Sequence, residues 1–435
     1  MLRGFSRSKR KSKQPIFYGW WIVIAGGISQ AYTSGAFWQG FGAFFDPIVA
    51  QFGWSRAVTS AAQSLQRTES GMIAPFVGYF INKFGPRNVM LVGVVVTGFG
   101  FMLLSRMNSL WQFYAAFLVI TIGLSFGSFL TVTTTVTNWF ITRRSRALAI
   151  MSAGSGIGGI FVPLVIWLIA TTDWRTGLVV IGIGFWVTGI PVALVMRSRP
   201  EDYGHLPDGK LEAPDATPSD REQGEQETSS KPQGNVTEVD FTVREALRTR
   251  AFWQMMLAMG SGQLIMSASI HQIPALSSFG ISRGAAGLVI MSVAIVSMTG
   301  RITSGFLGDM MDKRFVLAFA FACQFLGTLS FAYTSNIWHL LGFILFWGVG
   351  MGASIPVRFA LLADYFGRKN FGSIMGVMLT TSAIFGVVSP VFVGWMFDVN
   401  GNYRDPFLIL SVTVLFSIPL ILTLSPPVQP VARRG

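Results

Sequence analysis

Long apolar stretches alternate with short polar segments along almost the whole chain. Each stretch has roughly the 20 residues that a helix needs to cross the ~30 Å hydrocarbon core of a bilayer. The pattern therefore predicts twelve membrane-spanning helices, six before and six after one long polar segment at residues 197–250. The predicted spans are approximately 18–45, 57–81, 89–104, 110–140, 147–170, 177–196, 252–278, 285–308, 315–333, 337–366, 371–397 and 406–424.

This pattern predicts an all-α membrane protein built from two six-helix bundles, at residues 18–196 and 251–425. A basic segment, 1–17, precedes the first bundle, and a tail, 426–435, follows the second. The central segment 197–250 is rich in Pro, Glu, Gln, Ser and Asp with few large apolar residues, so we expect most of it to be disordered. Its last part has amphipathic spacing and is expected to lie along the membrane surface.

Composition supports the membrane interpretation and excludes a soluble one. Apolar residues make up 51% of the chain and charged residues 12%, against the ~25% charged residues of a soluble globular protein. The formal net charge of +13 is no sign of nucleic-acid binding, because the basic residues sit in short clusters between apolar spans. Of the 33 Lys and Arg, 25 fall on one side of the predicted membrane and five on the other, and three lie inside spans. This bias predicts that both termini are cytoplasmic in a plasma membrane, or the inner membrane of a bacterium.

The two halves repeat each other in sequence. Gly78 and Gly305 differ by 227 residues, and so do Pro163 and Pro390. An aromatic pair followed by basic residues recurs at nearly the same offset, at 139–140 and 365–366. Two pseudo-symmetric six-helix units place a substrate path at their interface, near the middle of the bilayer.

Several short motifs identify a known kind of protein. They are Gly78-x3-Asn82-Lys83-x-Gly85-Pro86-Arg87, Arg301-x3-Gly305-x3-Asp309, Phe17-Tyr18-Gly19-Trp20-Trp21, and Asp364-Tyr365-Phe366-Gly367-Arg368-Lys369 with Gly372 and Gly376. With six plus six helices and a long central loop, the chain resembles the major facilitator superfamily over essentially its whole length. Within that superfamily it is similar to the monocarboxylate-porter and oxalate/formate-antiporter branch. The first motif departs from the family by having Asn82 where aspartate is usual.

The resemblance implies a secondary transporter that moves a small organic anion, such as a monocarboxylate, by alternating access between the two halves. Coupling to protons is part of this expectation. The expected partners are a small-molecule substrate and the lipid bilayer, with no nucleic acid and with a monomer as the functional unit. The sequence contains no nucleotide loop, metal-ligand cluster or nucleophile constellation, so we expect no enzyme activity, cofactor or metal. Cys323 is the single cysteine and is predicted to be a small buried hydrophobe.

Arg301 is the leading candidate for substrate binding. A charge at the middle of a membrane helix costs ~2.5–3.5 kcal/mol on insertion scales, so such residues usually mark pathways. The resemblance implies that the eighth-helix arginine meets the substrate carboxylate, and a guanidinium matches a carboxylate geometrically. The alternative is a structural ion pair with a helix end or with Glu69. Further candidates for substrate binding are Gln39, Tyr32 and His271. Gln39 lies near the position at which some monocarboxylate porters have a lysine.

Glu69 is the predicted proton carrier, because it is the carboxylate that lies deepest in any predicted span. Arg67 is two residues away, so on a helix the two side chains point ~200° apart and cannot simply neutralise each other. An interhelical ion pair that stabilises one conformation remains an equal alternative for both residues.

Gating is predicted at the cytoplasmic ends of the helices. Pairing of Asp309 with nearby basic groups, and of Lys83 and Arg87 with Asp364 or a helix C-terminus, would hold the inner side closed, at ~0–1 kcal/mol per exposed pair. We expect Arg358, six residues before Asp364, to form a gating pair rather than to contact substrate. The predicted gating residues are Asn82, Lys83, Arg87, Asp309, Arg358 and Asp364.

Two other functions remain open at the level of sequence. The Trp and Phe content of the first span is compatible with efflux of amphipathic or aromatic compounds. A membrane sensor that binds a partner through the central loop is a more distant alternative, because that loop shows no sign of a folded domain.

Overall fold

A computed structural model describes residues 17–54, 56–209 and 240–427, which form helices joined by short turns. We number the twelve long helical segments α1 to α12. They are α1 (18–52), α2 (Arg56–Phe84), α3 (Pro86–Ser105), α4 (Leu110–Trp139), α5 (Arg144–Thr171), α6 (Trp174–Val195), α7 (250–278), α8 (Arg283–Met310), α9 (Lys313–Ala332), α10 (Ile337–Phe366), α11 (Phe371–Asn400) and α12 (Arg404–Leu422).

Several of the segments contain irregular turns, including a 3₁₀ turn at Gly158–Ile160 of α5. α1 consists of Tyr18–Thr33, a π-helical turn at Ser34–Gln39, a 3₁₀ turn at Phe41–Phe44 and Phe45–Phe52. α7 consists of Arg250–Ala268, a 3₁₀ turn at Ser269–His271 and Gln272–Ser278. α10 contains a second π-helical turn at Phe343–Trp347. Such turns are rare and often lie at functional sites.

Within the described part of the chain, nine helices are long and apolar enough to cross a membrane. They are α3 to α6 and α8 to α12. The remaining three are less apolar: α1 and α7 are divided by the irregular turns, and α2 carries Gln66, Arg67 and Glu69. Polar residues or irregular turns therefore distinguish α1, α2 and α7 from the other nine helices.

Large apolar side chains cover the outside of the bundle. Trp111 at the start of α4 is 82% exposed, and Trp338, at the equivalent position of α10, is 76% exposed. Tryptophan at helix ends is typical of a membrane–water interface. A soluble protein would not expose so much apolar surface, so the surface pattern matches a multi-pass membrane protein.

The two ends of the central segment pack against the bundle. Trp139 donates its indole N–H to the carbonyl of Arg197 (3.0 Å), whose guanidinium lies 4.0 Å from the centre of the Tyr18 ring. The Asp208 carboxylate accepts a hydrogen bond from the Thr142 amide (2.8 Å). The fully buried Phe241 donates its amide to the Phe366 carbonyl (3.1 Å).

Residues 197–209 and 240–249 are therefore ordered, in contrast to the predicted disorder of the central segment. The rest of that segment, residues 210–239, lies outside the described residues. At the far end Asp240 accepts a hydrogen bond from the Lys369 amide (3.0 Å). Thr142 and Lys369 differ by 227 residues, so a carboxylate from each end of the segment binds an equivalent loop in each half. We call this end of the bundle the linker face.

Several helices have a side chain at their N-terminus that accepts a hydrogen bond from an amide of the first turn. The Asp173 carboxylate accepts a hydrogen bond from the Thr176 amide (2.9 Å) at the start of α6. Hydrogen bonds from the Thr176 side chain and backbone hold the pKa of Asp173 below its ordinary value. Thr242 and Glu245 form a capping box at Val243–Leu247, and these hydrogen bonds likewise lower the pKa of Glu245.

Glycines allow close helix packing within each half. A Cβ atom added to Gly93 of α3 would lie closer than 3.0 Å to backbone atoms of Gly123 and Gly127 of α4. Small residues at such crossings replace the hydrophobic driving force that membranes lack.

We expect Gly93→Leu to lower the melting temperature of the detergent-solubilised protein clearly, because overpacking a helix contact costs ~1–3 kcal/mol. Gly287→Leu in α8 is the matched control, since a Cβ atom there would meet nothing within 4 Å. Thermal unfolding of both variants tests the prediction. Equal melting temperatures would show that the α3–α4 contact is not tight.

Candidate functional site

Arg301 of α8 lies at the contact between the two halves. Its side chain is 8% exposed, and Nη1 donates to the Ser152 carbonyl (2.7 Å) and to Ser155 Oγ (2.5 Å) of α5. Its Nε is buried and has no hydrogen-bond partner among the described residues. Arg301 forms no ion pair with any carboxylate of the described residues. The guanidinium is therefore bound only by neutral oxygens and keeps donor capacity for an anion.

A hydrogen-bond chain continues from this arginine to α1. Ser34 Oγ donates to the Ser155 carbonyl (2.7 Å), and Gln39 Nε2 donates to Ser34 Oγ (2.8 Å). Ser34 and Gln39 begin and end the π-helical turn of α1. The structure thus brings two predicted substrate residues, Arg301 and Gln39, into one network that crosses between the halves.

Arg358 of α10 lines a cavity of the second half rather than the gate. The cavity lies among α7, α9 and α10. No hydrogen bond of Arg358 to another described residue is present, and its guanidinium lies 4.7 Å from the centre of the Phe359 ring. Gly352, six residues before Arg358 in the same helix, packs against α8: a Cβ atom added there would lie 3.0 Å from the Arg301 backbone nitrogen. The predicted pair with Asp364 is not formed in this structure.

Tyr32 and His271 lie away from this network. The Tyr32 hydroxyl donates to the Ile181 carbonyl of α6 (2.9 Å), inside the first half. His271 Nε2 is 3.1 Å from the Pro390 carbonyl of α11, inside the second half. Each residue therefore has a partner within its own bundle, and a substrate role remains a prediction for both.

Glu69 of α2 is 7% exposed and surrounded by hydroxyl groups. Ser70 Oγ is 3.3 Å from its carboxylate, and Ser125 Oγ of α4 is 3.4 Å from it. Neither Arg301 nor another cation of the described residues forms an ion pair with it. The side chain of Arg67 lies outside the described residues.

Asp309 joins α8 to the first turn of α5 at the linker face. Its carboxylate accepts hydrogen bonds from the amides of Ser145 (2.9 Å) and Arg146 (3.2 Å) and forms an ion pair with the Arg146 side chain (3.2 Å). The first amides of a helix have no intrahelical partner and carry partial positive charge, so a carboxylate stabilises them.

The equivalent position in the first half makes a weaker contact. Asn82 Nδ2 donates to Ser373 Oγ of α11 (3.0 Å). Gly78 packs against Gly372 in this contact, as Gly305 packs against Ser145 in the other. The backbone geometry is repeated, but the charge is present only at the α5–α8 contact.

Asp364 forms a second ionic contact at the linker face. It pairs with Arg144 (2.5 Å) and Lys313 (2.7 Å) rather than with Lys83 or Arg87 as expected. Lys83 instead lies over the Phe84 ring, 5.3 Å from its centre. The side chain of Arg144 is only 1% exposed. Sequence reasoning missed its role in this contact, because it counted Arg144 only as a signal of topology. Gln324, Ser152 and Ser155 were also missed, since uncharged residues in a span give no comparable signal.

Comparison with known proteins agrees with this architecture. The model of the Major Facilitator Superfamily matches residues 28–337 and 265–435. Monocarboxylate transporter 12 of Xenopus laevis is 26% identical over 418 residues, which cover 93% of this chain and 88% of that protein. Monocarboxylate transporter 13 of Bos taurus is 25% identical over 418 residues, covering 94% and 89%.

Solved structures show the same fold at low sequence identity. The human organic anion transporter MFSD10 superposes with a TM-score of 0.71 at 13% identity, covering 94% of this chain and 100% of that one. The transporter FucP in its outward conformation superposes with a TM-score of 0.66 at 15% identity, covering 95% and 99%. The predicted twelve-helix fold is thereby confirmed. The chain belongs to the major facilitator superfamily and is a membrane transporter, not an enzyme, similar to the monocarboxylate transporters.

Proposed function

We propose that the chain is a secondary active transporter of small organic anions, chiefly monocarboxylates, and that Arg301 binds the substrate carboxylate. The observation that carries this proposal is a guanidinium that is 8% exposed, lies between the halves and has only neutral acceptors among the described residues. A buried cation without an anionic partner is costly, and a bound carboxylate would compensate it. The names of the similar monocarboxylate and organic anion transporters support the same substrate class.

Substrate binding would be linked to movement of the halves through the same arginine. Arg301 connects α8 to α5 by hydrogen bonds to Ser152 and Ser155. A carboxylate competes for these donors, because charge-assisted hydrogen bonds are roughly twice as strong as neutral ones. Binding would therefore weaken the α5–α8 contact at this level and favour alternating access.

The linker face would be the cytoplasmic side of a plasma membrane. Arg144, Lys313 and Arg368 lie at this end of the bundle, and the bias of 25 of the 33 Lys and Arg to one side of the predicted membrane favours the cytoplasmic side for such basic segments. The ionic contacts of Asp309 and Asp364 then close the cytoplasmic side. One chain supplies both halves of the pathway, so a monomer is sufficient for transport.

Glu69 would carry a proton coupled to transport. Serine hydroxyls both donate and accept hydrogen bonds, so Ser70 and Ser125 can bind the carboxyl group in its ionised and protonated forms. An ion pair would favour only the ionised form. A hydroxyl environment is therefore suited to a group that gains and loses a proton during the cycle.

For Arg301→Gln we expect at least a tenfold lower initial rate of carboxylate uptake into proteoliposomes, because a hydrogen bond to a charged group contributes ~1.5–3 kcal/mol. Arg301→Lys should be intermediate, since it keeps the charge and loses the planar fork. Arg106→Gln is the matched control, because this arginine is exposed in the α3–α4 loop. Normal uptake by Arg301→Gln, or no uptake of any carboxylate by the wild type, would contradict the proposal.

For Glu69→Gln we expect loss of uptake driven by a pH gradient, with substrate exchange at equal pH retained. The amide keeps the size of the side chain but cannot release a proton. Parallel measurements of gradient-driven uptake and exchange separate coupling from binding. Asp398→Asn, at an exposed carboxylate near the end of α11, serves as the control. If Glu69→Gln took up substrate at the wild-type rate in a pH gradient, proton coupling through Glu69 would be disproved.

For Asn82→Asp we expect a contact with the start of α11 that is stronger by ~0.3–1 kcal/mol, as a carboxylate gains at a helix N-terminus. The closed linker face should become more populated and the turnover rate should fall about two- to fivefold. A cysteine at Ala149, which packs against Gly305, can report opening by thiol labelling in a Cys323→Ser background.

The control for this change is Asn88→Asp, an exposed position at the linker-face end of α3. It adds the same charge without facing α11, so labelling and turnover should stay at wild-type values. Faster labelling in Asn82→Asp would mean that the added charge opens the gate.

A further inference from the structure

The cavity of the second half combines apolar walls with two unpaired polar groups. Its apolar walls come from α7, α9 and α10, and its polar residues are Gln324, Ser354 and Arg358. The apolar lining residues include Met259, Met266, Phe321, Trp347 and Met351.

Gln324 presents an acceptor to this cavity. Its side chain is 4% exposed, and Nε2 donates to the Gly350 carbonyl (3.0 Å) and Ser354 Oγ (3.1 Å). The contact with a carbonyl fixes the orientation of the amide, because only the nitrogen can donate. Oε1 is buried without a hydrogen-bond partner among the described residues.

Arg358 presents donors to the same cavity. Its Nε is also buried without a partner in the described part of the chain, and no carboxylate there pairs with its guanidinium. An unpaired donor and an unpaired acceptor thus line one space. Buried polar groups are normally satisfied in folded proteins, and those without a protein partner indicate strain, a functional site, or a bound water or ion.

The first half supplies an internal comparison. Its equivalent cavity is lined by Tyr32, Thr97, Leu124 and Gly127, which precede Met259, Gln324, Met351 and Ser354 by 227 residues each. There the polar groups have partners: Tyr32 donates to the Ile181 carbonyl, and Thr97 donates to the Gly93 carbonyl (2.8 Å). The position equivalent to Arg358 is Thr131, which donates to the Phe126 carbonyl (2.6 Å).

A bundle of this topology can therefore form with the polar side chains at these positions hydrogen-bonded, as Tyr32, Thr97 and Thr131 are in the first half. Packing alone does not account for Gln324 and Arg358. Because Gly352, six residues before Arg358 in α10, packs against the backbone of Arg301, the two arginines extend from adjacent helices and can serve one bound anion at separate points.

We propose that Gln324 and Arg358 form a second subsite of the transport site, which binds a hydroxyl group at the far end of a carboxylate substrate. A hydroxyl accepts a hydrogen bond from Arg358 and donates one to Gln324 Oε1. Met259 and Met351 lie beside these polar groups and would contact the methylene carbon that carries the hydroxyl. A second carboxylate would suit Arg358 but would place an anionic oxygen against Gln324 Oε1, so hydroxy acids are favoured over dicarboxylates.

This inference rests on the proposed function, since Arg301 must hold the carboxylate. The test uses matched acids of three to six carbons that carry no substituent, an ω-hydroxyl or an ω-carboxylate. Binding to purified full-length protein is measured by calorimetry and by thermal shift. For at least one chain length the wild type should bind the hydroxy acid about tenfold more tightly than the unsubstituted acid, as expected for a hydrogen bond to a charged group.

Arg358→Met and Gln324→Met should each reduce this preference to less than about threefold, with affinity for the unsubstituted acid kept. Thr97→Val, at the equivalent position of the first half, is the matched control and should retain the full preference. Melting temperatures of the ligand-free variants show whether each one folds. A variant that does not fold is replaced by Arg358→Lys or by Gln324→Thr, the residue at the equivalent position of the first half, and both should also weaken the preference for the hydroxyl.

The outcomes separate the two proposals. If no acid of any class binds the wild type, the proposed function fails. If unsubstituted acids bind through Arg301 but the preference is absent, or is unchanged in both Met variants, only the second subsite fails. Tighter binding of the dicarboxylates than of the hydroxy acids would overturn the role of Gln324 as an acceptor.

Discussion

The contact between α5 and α8 is the interaction on which gate and site both depend. At the linker face Asp309 neutralises the exposed amides at the start of α5. Eight residues earlier, ~12 Å along the same helix, Arg301 donates to oxygens of Ser152 and Ser155. Because a helix moves as a rigid rod on this scale, separation of α5 from α8 disrupts both contacts together. Water can replace the partners of Asp309, whereas a buried guanidinium is stabilised by an anion, so in the proposed function a bound carboxylate would be the trigger for opening.

The internal repeat supplies the hinge, and departures from the repeat supply the chemistry. The α2–α11 contact reproduces the close packing of the α5–α8 contact through Gly78 and Gly372. Its polar groups are neutral, since Asn82 stands in place of Asp309 and Thr380 donates to the Gly71 carbonyl (2.5 Å). Neutral hydrogen bonds are easier to break than ionic ones. One contact can therefore act as a low-cost pivot while the other responds to the charge of the substrate.

Sequence alone predicted what depends on local pattern. Hydrophobic periodicity predicts the membrane spans, the two halves and the helix-end motif around Asp309. The cost of burying a charge singles out Arg301 within its span. Side-chain partners across helices were not predictable, because they depend on helix rotation and on which face is closed. Asp364 accordingly pairs with Arg144 rather than with the expected residues, and Tyr32 turns into its own bundle. The π-helical turn that carries Gln39 has no reliable sequence signal, yet it sets the direction of that side chain.

The two halves also distinguish what folding requires from what function adds. Cavities in both bundles show that six helices of this topology leave a gap among equivalent elements: α7, α9 and α10 in the second half, and α1, α3 and α4, together with α6, in the first. In the first half the three polar residues that were compared donate to backbone carbonyls, so their hydroxyl groups are not left unsatisfied; they are Tyr32, Thr97 and Thr131. In the second half a cation and an amide oxygen stay unpaired, which lowers stability without any gain in packing. In the proposed second subsite a bound hydroxyl group would supply the missing partners of this copy, and the packing of Gly352 against the backbone of Arg301 places α10 beside the Arg301 network.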